Sequence, residues 1–293
     1  MVQDYSAELA ERLNWLPTDG ADPTGVPAAL ADVLTPVKRY RHTAPKRAPL
    51  NRLEYEFLAA LALSGWSMRA ALAEAVNHGK GLHRRSGSFK LAWRQLERAG
   101  LWECALVRAG QRRLALVRLT ERGRAVLAEV GLTAVDSEWE QIEARHRGGG
   151  ADQLRHTAAI CAFLYHARRH GYATQPCPVV LQASKAEPDV RLTRDGSPIY
   201  VEVQRRGGEA WRRADKWRSQ HRLQGFVALC ADTPALAERL AQEAQRTGVP
   251  VGCATSLTEL ADGSAPGLWT LRWRSQHGPL ETATNDAEPA PSG

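Results

Sequence analysis

The spacing of apolar and polar positions divides the chain into a helical first half and a second half in which strands and helices alternate. From Leu53 onward, Leu53, Phe57, Ala60, Leu61 and Ser64 fall on one helix face, and Gly65 ends the run. Met68, Ala71, Leu72, Ala75 and Val76 repeat that spacing. After a polar loop from Asn77 to Gly87, a third helix starts near Ser86 or Ser88. It turns Phe89, Trp93 and Leu96 to the core and stops at Gly100. The run from Cys104 to Leu119 reads as two strands around Ala109-Gly110-Gln111, and Thr120 caps a closing helix with Val126 and Leu127 inward. A polar, exposed helix is expected over 136–147, and Gly148-Gly149-Gly150 reads as a hinge.

Beyond the hinge, Leu154, Ala158, Cys161, Leu164 and Tyr165 mark a helix that stops at Gly171. Strands are expected near 178–182, 189–194, 198–204, 225–231 and 250–254, with helices near 208–222 and 234–247. Such alternation implies an α/β layer. A short helix is expected over 5–15. Residues 17–50 carry six prolines and the basic cluster Lys38, Arg39, Arg41, Lys46 and Arg47, and read as a linker or an ordered arm. The tail after about 276 is rich in Pro, Ala, Asp and Glu and is expected to be disordered.

Composition adds three constraints. A chain of 293 residues suggests about two domains. A net charge of +7 favours a polyanionic partner and says nothing of fold. The five cysteines, Cys104, Cys161, Cys177, Cys230 and Cys253, form no CxxC pair, which argues against a zinc site or a disulfide framework. The opening MVQDYSAELAERL lacks the basic and apolar regions of a signal peptide, and no apolar run approaches the ~20 residues of a membrane span. A cytoplasmic protein without a membrane partner is the expectation.

The basic residues gather in one stretch. From Gly79 to Arg124 there are twelve Lys or Arg and three Glu. With Phe89, Trp93 and Leu96 buried, Lys90, Arg94 and Arg98 lie at i, i+4 and i+8 on another face, the edge a helix needs in a major groove. Arg112 and Arg113 sit beside the hairpin tip, where a wing would meet phosphates. The order helix, helix, helix, hairpin, helix, with LTERGRAVL from Leu119 to Leu127, resembles the winged helix-turn-helix of MarR- and PadR-like regulators over about 53–131. That resemblance implies DNA binding. A solvated helix face or a protein-binding winged helix is the other reading.

The second constellation runs from Glu187 to Gln204. Asp195-Gly196 is a two-residue hairpin turn, which sets Arg194 against Ser197, Leu192 against Ile199 and Asp189 against Glu202. Asp189 and Glu202 then share a face with Cβ atoms about 5 Å apart. Opposed carboxylates destabilise a strand pair unless a cation neutralises them. A divalent metal does so, as do salt bridges from Arg191 or Arg205.

Here the chain resembles the PD-(D/E)xK nuclease superfamily. Pro188-Asp189 matches the PD, and Glu202-Val203-Gln204 the (D/E)xK, with Gln204 in place of lysine. The resemblance implies catalysis by Asp189, Glu202 and Gln204, with Mg²⁺ or Mn²⁺ on Asp189 and Glu202. Lys216, on the next helix, is a candidate for the missing cation, and Asp152 or Gln153 for a further ligand. The helix 208–222 carries Trp211, Arg212, Arg213, Lys216, Trp217, Arg218 and Arg222, of which Arg213 and Lys216 are placed on the nucleic-acid backbone in this reading. The whole chain also resembles replication-relaxation proteins of plasmids and mobile elements, through His156-Thr157, the PD and the VEV strand. His156 has no acid partner near it in sequence and reads as a capping or packing residue.

The expected fold class is an α+β winged helix domain followed by an α/β restriction-endonuclease-like domain. The expected division is an N-terminal helix and Pro-rich linker at 1–52, the winged helix at 53–131, a connecting helix and hinge at 132–150, the α/β domain at 151–262, and a strand and tail at 263–293. The expected function is DNA binding with Mg²⁺-dependent hydrolysis of phosphodiesters, tied to plasmid, phage or mobile-element replication or defence. A non-catalytic regulator or replication accessory factor is the alternative. The implied partners are double-stranded DNA and a second copy of the chain or other replication proteins. The chain has no GxxxxGK[ST], GxGxxG after a strand, GxSxG or HExxH, so NTPase, dinucleotide and common hydrolase readings lack a motif.

Overall fold

The computed structural model describes residues 50–77, 87–109, 112–146, 150–180, 187–205 and 210–283. The expected helix over 5–15, the basic Pro-rich stretch before Leu50, the loop 78–86, the hairpin tip Gly110-Gln111, and Gly148 and Gly149 of the hinge lie outside the described residues. The chain forms two compact units, one built on 50–106 and 115–140, the other on the chain from Gln141 onward together with Val107–Leu114, so the far half of the 102–119 hairpin and the end of the Glu138–Arg145 helix count with the second unit.

The first unit begins with α1 (Arg52–Ser64), α2 (Arg69–Asn77) and α3 (Gly87–Arg98). Strands β1 (Trp102–Ala109) and β2 (Arg112–Leu119) follow, then α4 (Glu121–Ala128) and α5 (Glu138–Arg145). Asn51 and Glu54 close a reciprocal capping box at the start of α1. Gly65 ends the helix with φ +67°, a conformation only glycine adopts without cost. The spacing predicts a one-sided α1, but the structure buries it nearly all round, Tyr55, Leu58, Ala59 and Ala62 included. The cause is its central place: α2, α3 and α4 all pack on it. Phe57 sits edge-on to Phe89, Trp93 and Trp102 at centroid distances of 5.2, 5.8 and 6.1 Å. Phe89, Trp93, Leu96, Val126 and Leu127 are buried as their spacing predicts.

Thr120 caps α4 by accepting from the Gly123 N–H, and Gly123 packs against the Leu101 carbonyl so closely that a Cβ would lie 1.9 Å from that oxygen. Met68 bridges to Leu116, giving the hairpin a short third partner. The helix expected to be polar and exposed is α5, and the expectation holds for one face only: Gln141, Glu143 and Ala144 are exposed, and the other face is not. Ser137, Glu138, Trp139 and Ile142 are buried. Glu138 accepts from the Ser67 N–H at 3.1 Å, and the Trp139 N–H donates to Ser67 Oγ at 2.9 Å. Buried polar groups with partners are tolerated, which a reading of polarity alone misses.

The second unit is a seven-stranded mixed sheet with helices, so the described chain is α+β. It runs α6 (Ala151–Arg169), β3 (Ala173–Pro176), β4 (Val190–Arg194), β5 (Ser197–Gln204), α7 (Ala210–Gln224) and β6 (Val227–Ala231). Then come α8 (Pro234–Arg246), β7 (Gly252–Ser256), α9 (Leu257–Asp262), β8 (Leu271–Trp273) and β9 (Glu281–Thr282). The strands lie in chain order. β3, β4 and β5 form an antiparallel meander, β5, β6 and β7 are parallel, and β8 and β9 return antiparallel. Helices α7 and α8 make the two parallel crossovers, as parallel neighbours require.

Two expectations need correction here. Of the strand expected near 178–182, Pro178–Val180 are not strand and 181–182 lie outside the described residues; a strand stands instead at β3, Ala173–Pro176, shortly after the Gly171 stop. The start of the tail expected to be disordered after about 276 contributes β9, which pairs with β8, and Ala283 is buried, while residues 284–293 lie outside the described residues. All five cysteines are free thiols. Among the described residues, no helix is long and apolar enough to cross a membrane.

Candidate functional site

The β4–β5 hairpin places the site. Asp195 and Gly196 both have positive φ, 51° and 84°, so the turn is the type the Asp-Gly pair predicts. Arg194 pairs with Ser197, Leu192 with Ile199 and Val190 with Val201. That register carries Asp189, just before β4, to the side of Glu202. The Asp189 N–H donates to the Val201 carbonyl at 3.1 Å, and its own carbonyl accepts from Cys177 N–H at 2.8 Å.

Asp189 and Glu202 are both buried, at 4% and 1% exposure. Asp189 Oδ2 accepts from the Val203 N–H at 2.8 Å, and Oδ1 lies 3.3 Å from His156 Nε2 and 3.8 Å from His146 Nε2. The Lys216 ammonium, from α7, pairs with Glu202 Oε2. The two acids respond in opposite directions. Burial opposes ionisation of Asp189, but the His156 hydrogen bond, the charges of Lys216 and His156 and the Val203 N–H together hold it well below the ordinary carboxylate range. Burial pushes Glu202 up to about 8, and the Asp189 charge adds to the rise. Lys216 works against that rise and is outweighed. Burial disfavours the Lys216 charge, yet Glu202, Asp189 and Glu187 raise its pKa on balance. At neutral pH the cluster therefore holds one carboxylate, one carboxylic acid and one ammonium, so the opposed acids are reconciled without a net charge.

Neither arginine considered for that task performs it. Arg205 pairs with Asp232 at 3.5 Å, and Arg191 Nε is buried without a hydrogen bond. Gln204 lies one alternation beyond Glu202 on β5, half-buried, in register with Ala231 of β6. Asp152 is exposed and pairs with Arg155 at 3.1 Å, within its own helix.

His156 does have an acid partner, Asp189, which corrects its reading as a residue that only caps or packs. His146, which the sequence reading passed over, joins it. The two imidazoles meet edge to face at 5.3 Å, and ligand atoms of His146, His156 and Asp189 all lie within 4.8 Å of one another. Burial lowers the His146 pKa, with help from the charges of His156, Arg145 and Lys216 and against Asp189.

The expected nucleic-acid contacts divide. Lys90, Arg94 and Arg98 are exposed on α3, opposite its buried aromatic face, and Arg113 is exposed on β2. The Arg112 side chain lies outside what is described. Arg213 departs from the expected backbone-tracking row: it is buried, with Nε and Nη2 on the Glu243 carboxylate at 2.7 and 2.5 Å. Trp217 is also buried and donates to Glu243 at 3.1 Å. Lys216 is committed to Glu202. Within the basic stretch, Arg124 is held by Glu140 at 2.8 Å, and Arg118 pairs with Glu103 and stacks on Trp139. Part of the local positive excess is thus structural.

Comparison with known proteins finds no matching family model, no matching curated protein and no matching solved structure.

Proposed function

We propose that this chain binds duplex DNA through its first unit and hydrolyses phosphodiesters in its second. The convergence of Asp189, Glu202 and Lys216 carries the reading. In the PD-(D/E)xK pattern the lysine follows the second acid on the same strand. Here Gln204 holds that position, and an ammonium reaches the same acid from the following helix. The element order of the second unit, helix, antiparallel meander, helix and parallel strand, supports the restriction-endonuclease-like fold. The order of the first unit and the exposed row Lys90, Arg94 and Arg98 support a winged helix with α3 as the groove-reading helix.

The residues fit a divalent ion in part. Asp189 is an ionised oxygen donor, whereas Glu202 must give up its proton before it can serve as a ligand. A bound ion would supply Lewis acidity at the phosphate. In this reading Lys216, paired with Glu202, would lend positive charge beside phosphate oxygens, Gln204 would offer a neutral amide to orient water, and the Val203 N–H fixes the Asp189 carboxylate. The self-neutralised Glu202–Lys216–Asp189 cluster favours a second reading, a non-catalytic DNA-binding regulator that kept the fold.

A nuclease assay on plasmid and single-stranded DNA, with Mg²⁺, Mn²⁺ or chelator, separates the two. Metal-dependent cleavage that Asp189→Ala and Glu202→Ala abolish, with DNA binding retained, is expected. Absence of cleavage with either metal leaves the regulator, and cleavage that survives both substitutions places the chemistry elsewhere.

A further inference from the structure

Three donors converge from segments far apart in the chain. His146 follows α5, His156 lies on the second turn of α6, and Asp189 precedes β4. The Nε2 atoms stand 3.8 and 3.3 Å from Asp189 Oδ1, and all three donor atoms fall within 4.8 Å. Ligands on a common ion at about 2.0–2.2 Å from it are themselves roughly 3–3.5 Å apart, so a small contraction suffices. His146 Nε2 is buried and makes no hydrogen bond in the described structure. Left as it is, that nitrogen is a desolvated polar atom with only a long electrostatic contact to Asp189 and no hydrogen bond.

The carboxylate is preset for the task. The Val203 N–H holds Oδ2 at 2.8 Å, which leaves Oδ1 to the imidazoles. A metal-bound carboxylate is commonly oriented by such an outer hydrogen bond. Glu202 and its partner Lys216 also adjoin Asp189, so the acid is shared between the imidazoles and that pair.

We infer that His146, His156 and Asp189 form a site for one borderline divalent transition metal, Zn²⁺, Co²⁺ or Mn²⁺, in preference to Mg²⁺. Two imidazoles and one carboxylate suit those ions, whereas Mg²⁺ takes oxygen ligands and water. Three protein donors leave at least one position for water or an anionic oxygen. The inference goes beyond the nuclease reading, since it concerns metal identity and holds whether or not the site cleaves DNA.

The test is calorimetry on the full chain, purified without a histidine tag and stripped with chelator, titrated separately with Zn²⁺, Co²⁺, Mn²⁺ and Mg²⁺. One Zn²⁺ or Co²⁺ per chain is expected, bound at least about a hundredfold more tightly than Mg²⁺. His146→Ala, His156→Ala and Asp189→Asn should each weaken it by about tenfold or more, and exposed His277→Ala should not. Circular dichroism identifies any variant that fails to fold. For such a variant, visible absorption of the Co²⁺-loaded wild-type protein supplies the evidence: low-coordinate bands support the site, and a hexaaqua-like spectrum overturns it. Mg²⁺ binding as tight as Zn²⁺, or wild-type Zn²⁺ affinity in a folded His146→Ala or His156→Ala variant, also overturns it. Zn²⁺ or Co²⁺ binding without cleavage keeps this site and removes the nuclease. Mg²⁺-dependent cleavage without transition-metal binding does the reverse.

Discussion

Glu202→Gln should change how stability depends on pH, because it fixes in place the neutral form that burial favours. The Glu202 carboxyl is 1% exposed and its pKa rises from the ordinary 4.5 to about 8. Below pH 4.5 it is protonated in both the folded and unfolded chain, and its contribution to stability is fully present. As pH climbs past 4.5 the unfolded chain ionises it while the folded chain does not, so stability declines until about pH 8 and then levels. At about 1.4 kcal/mol per pH unit, the decline is on the order of 5 kcal/mol. Glutamine cannot ionise, so the variant escapes it. Urea unfolding in chelator should give variant and wild type similar stability near pH 5. The variant should then gain steadily up to pH 8. With about 2–4 °C per kcal/mol for a unit of this size, the gap in Tm at pH 9 is roughly 10–20 °C. Parallel stability profiles for the two proteins from pH 5 to 9 would refute the assignment of the proton to Glu202. Asp189→Asn should act in the opposite sense. Its depressed pKa contributes stability above the unfolded value that is lost as pH falls, so this variant should be weaker at pH 7 and approach wild type in acid.

Further outcomes check the proposed DNA binding and the packing. If the proposed DNA binding holds, duplex DNA affinity should fall steeply with salt. Arg94→Ala should reduce sequence preference by about 1–3 kcal/mol at one base position, whereas Arg113→Ala should weaken all sequences alike, both read by fluorescence anisotropy across a panel of sites. Gly123→Ala should destabilise the first unit by several kcal/mol although alanine ordinarily favours a helix by about 1 kcal/mol, because its Cβ would meet the Leu101 carbonyl at 1.9 Å; a rise in Tm would contradict that packing. Arg213→Met should cost about 1.5–3 kcal/mol by leaving the half-buried Glu243 with the Trp217 N–H but without its guanidinium, and a double Arg213→Met, Glu243→Leu variant should recover much of the loss in thermal unfolding.

Much of the local structure was legible because its causes are local. Asp195-Gly196 sets a turn, the turn sets the register, and the register carries Asp189 to Glu202. Phe89, Trp93 and Leu96 define the buried face of α3 through helical spacing, and so leave Lys90, Arg94 and Arg98 outside. Spacing has no access to what covers an element. It therefore missed the nearly all-round burial of α1 under three helices and the burial of one face of α5, where Glu138 and the Trp139 N–H find partners on Ser67. It could not assign Arg213 to Glu243, thirty residues away, because an arginine on an amphipathic helix looks alike whether it meets water or an acid. The site divides in the same way. The two carboxylates lie on one hairpin and can be paired from sequence. Lys216, His156 and His146 reach them only through the path of the chain around the sheet, so the charge balance at Glu202 and the imidazole pair at Asp189 belong to the tertiary structure alone.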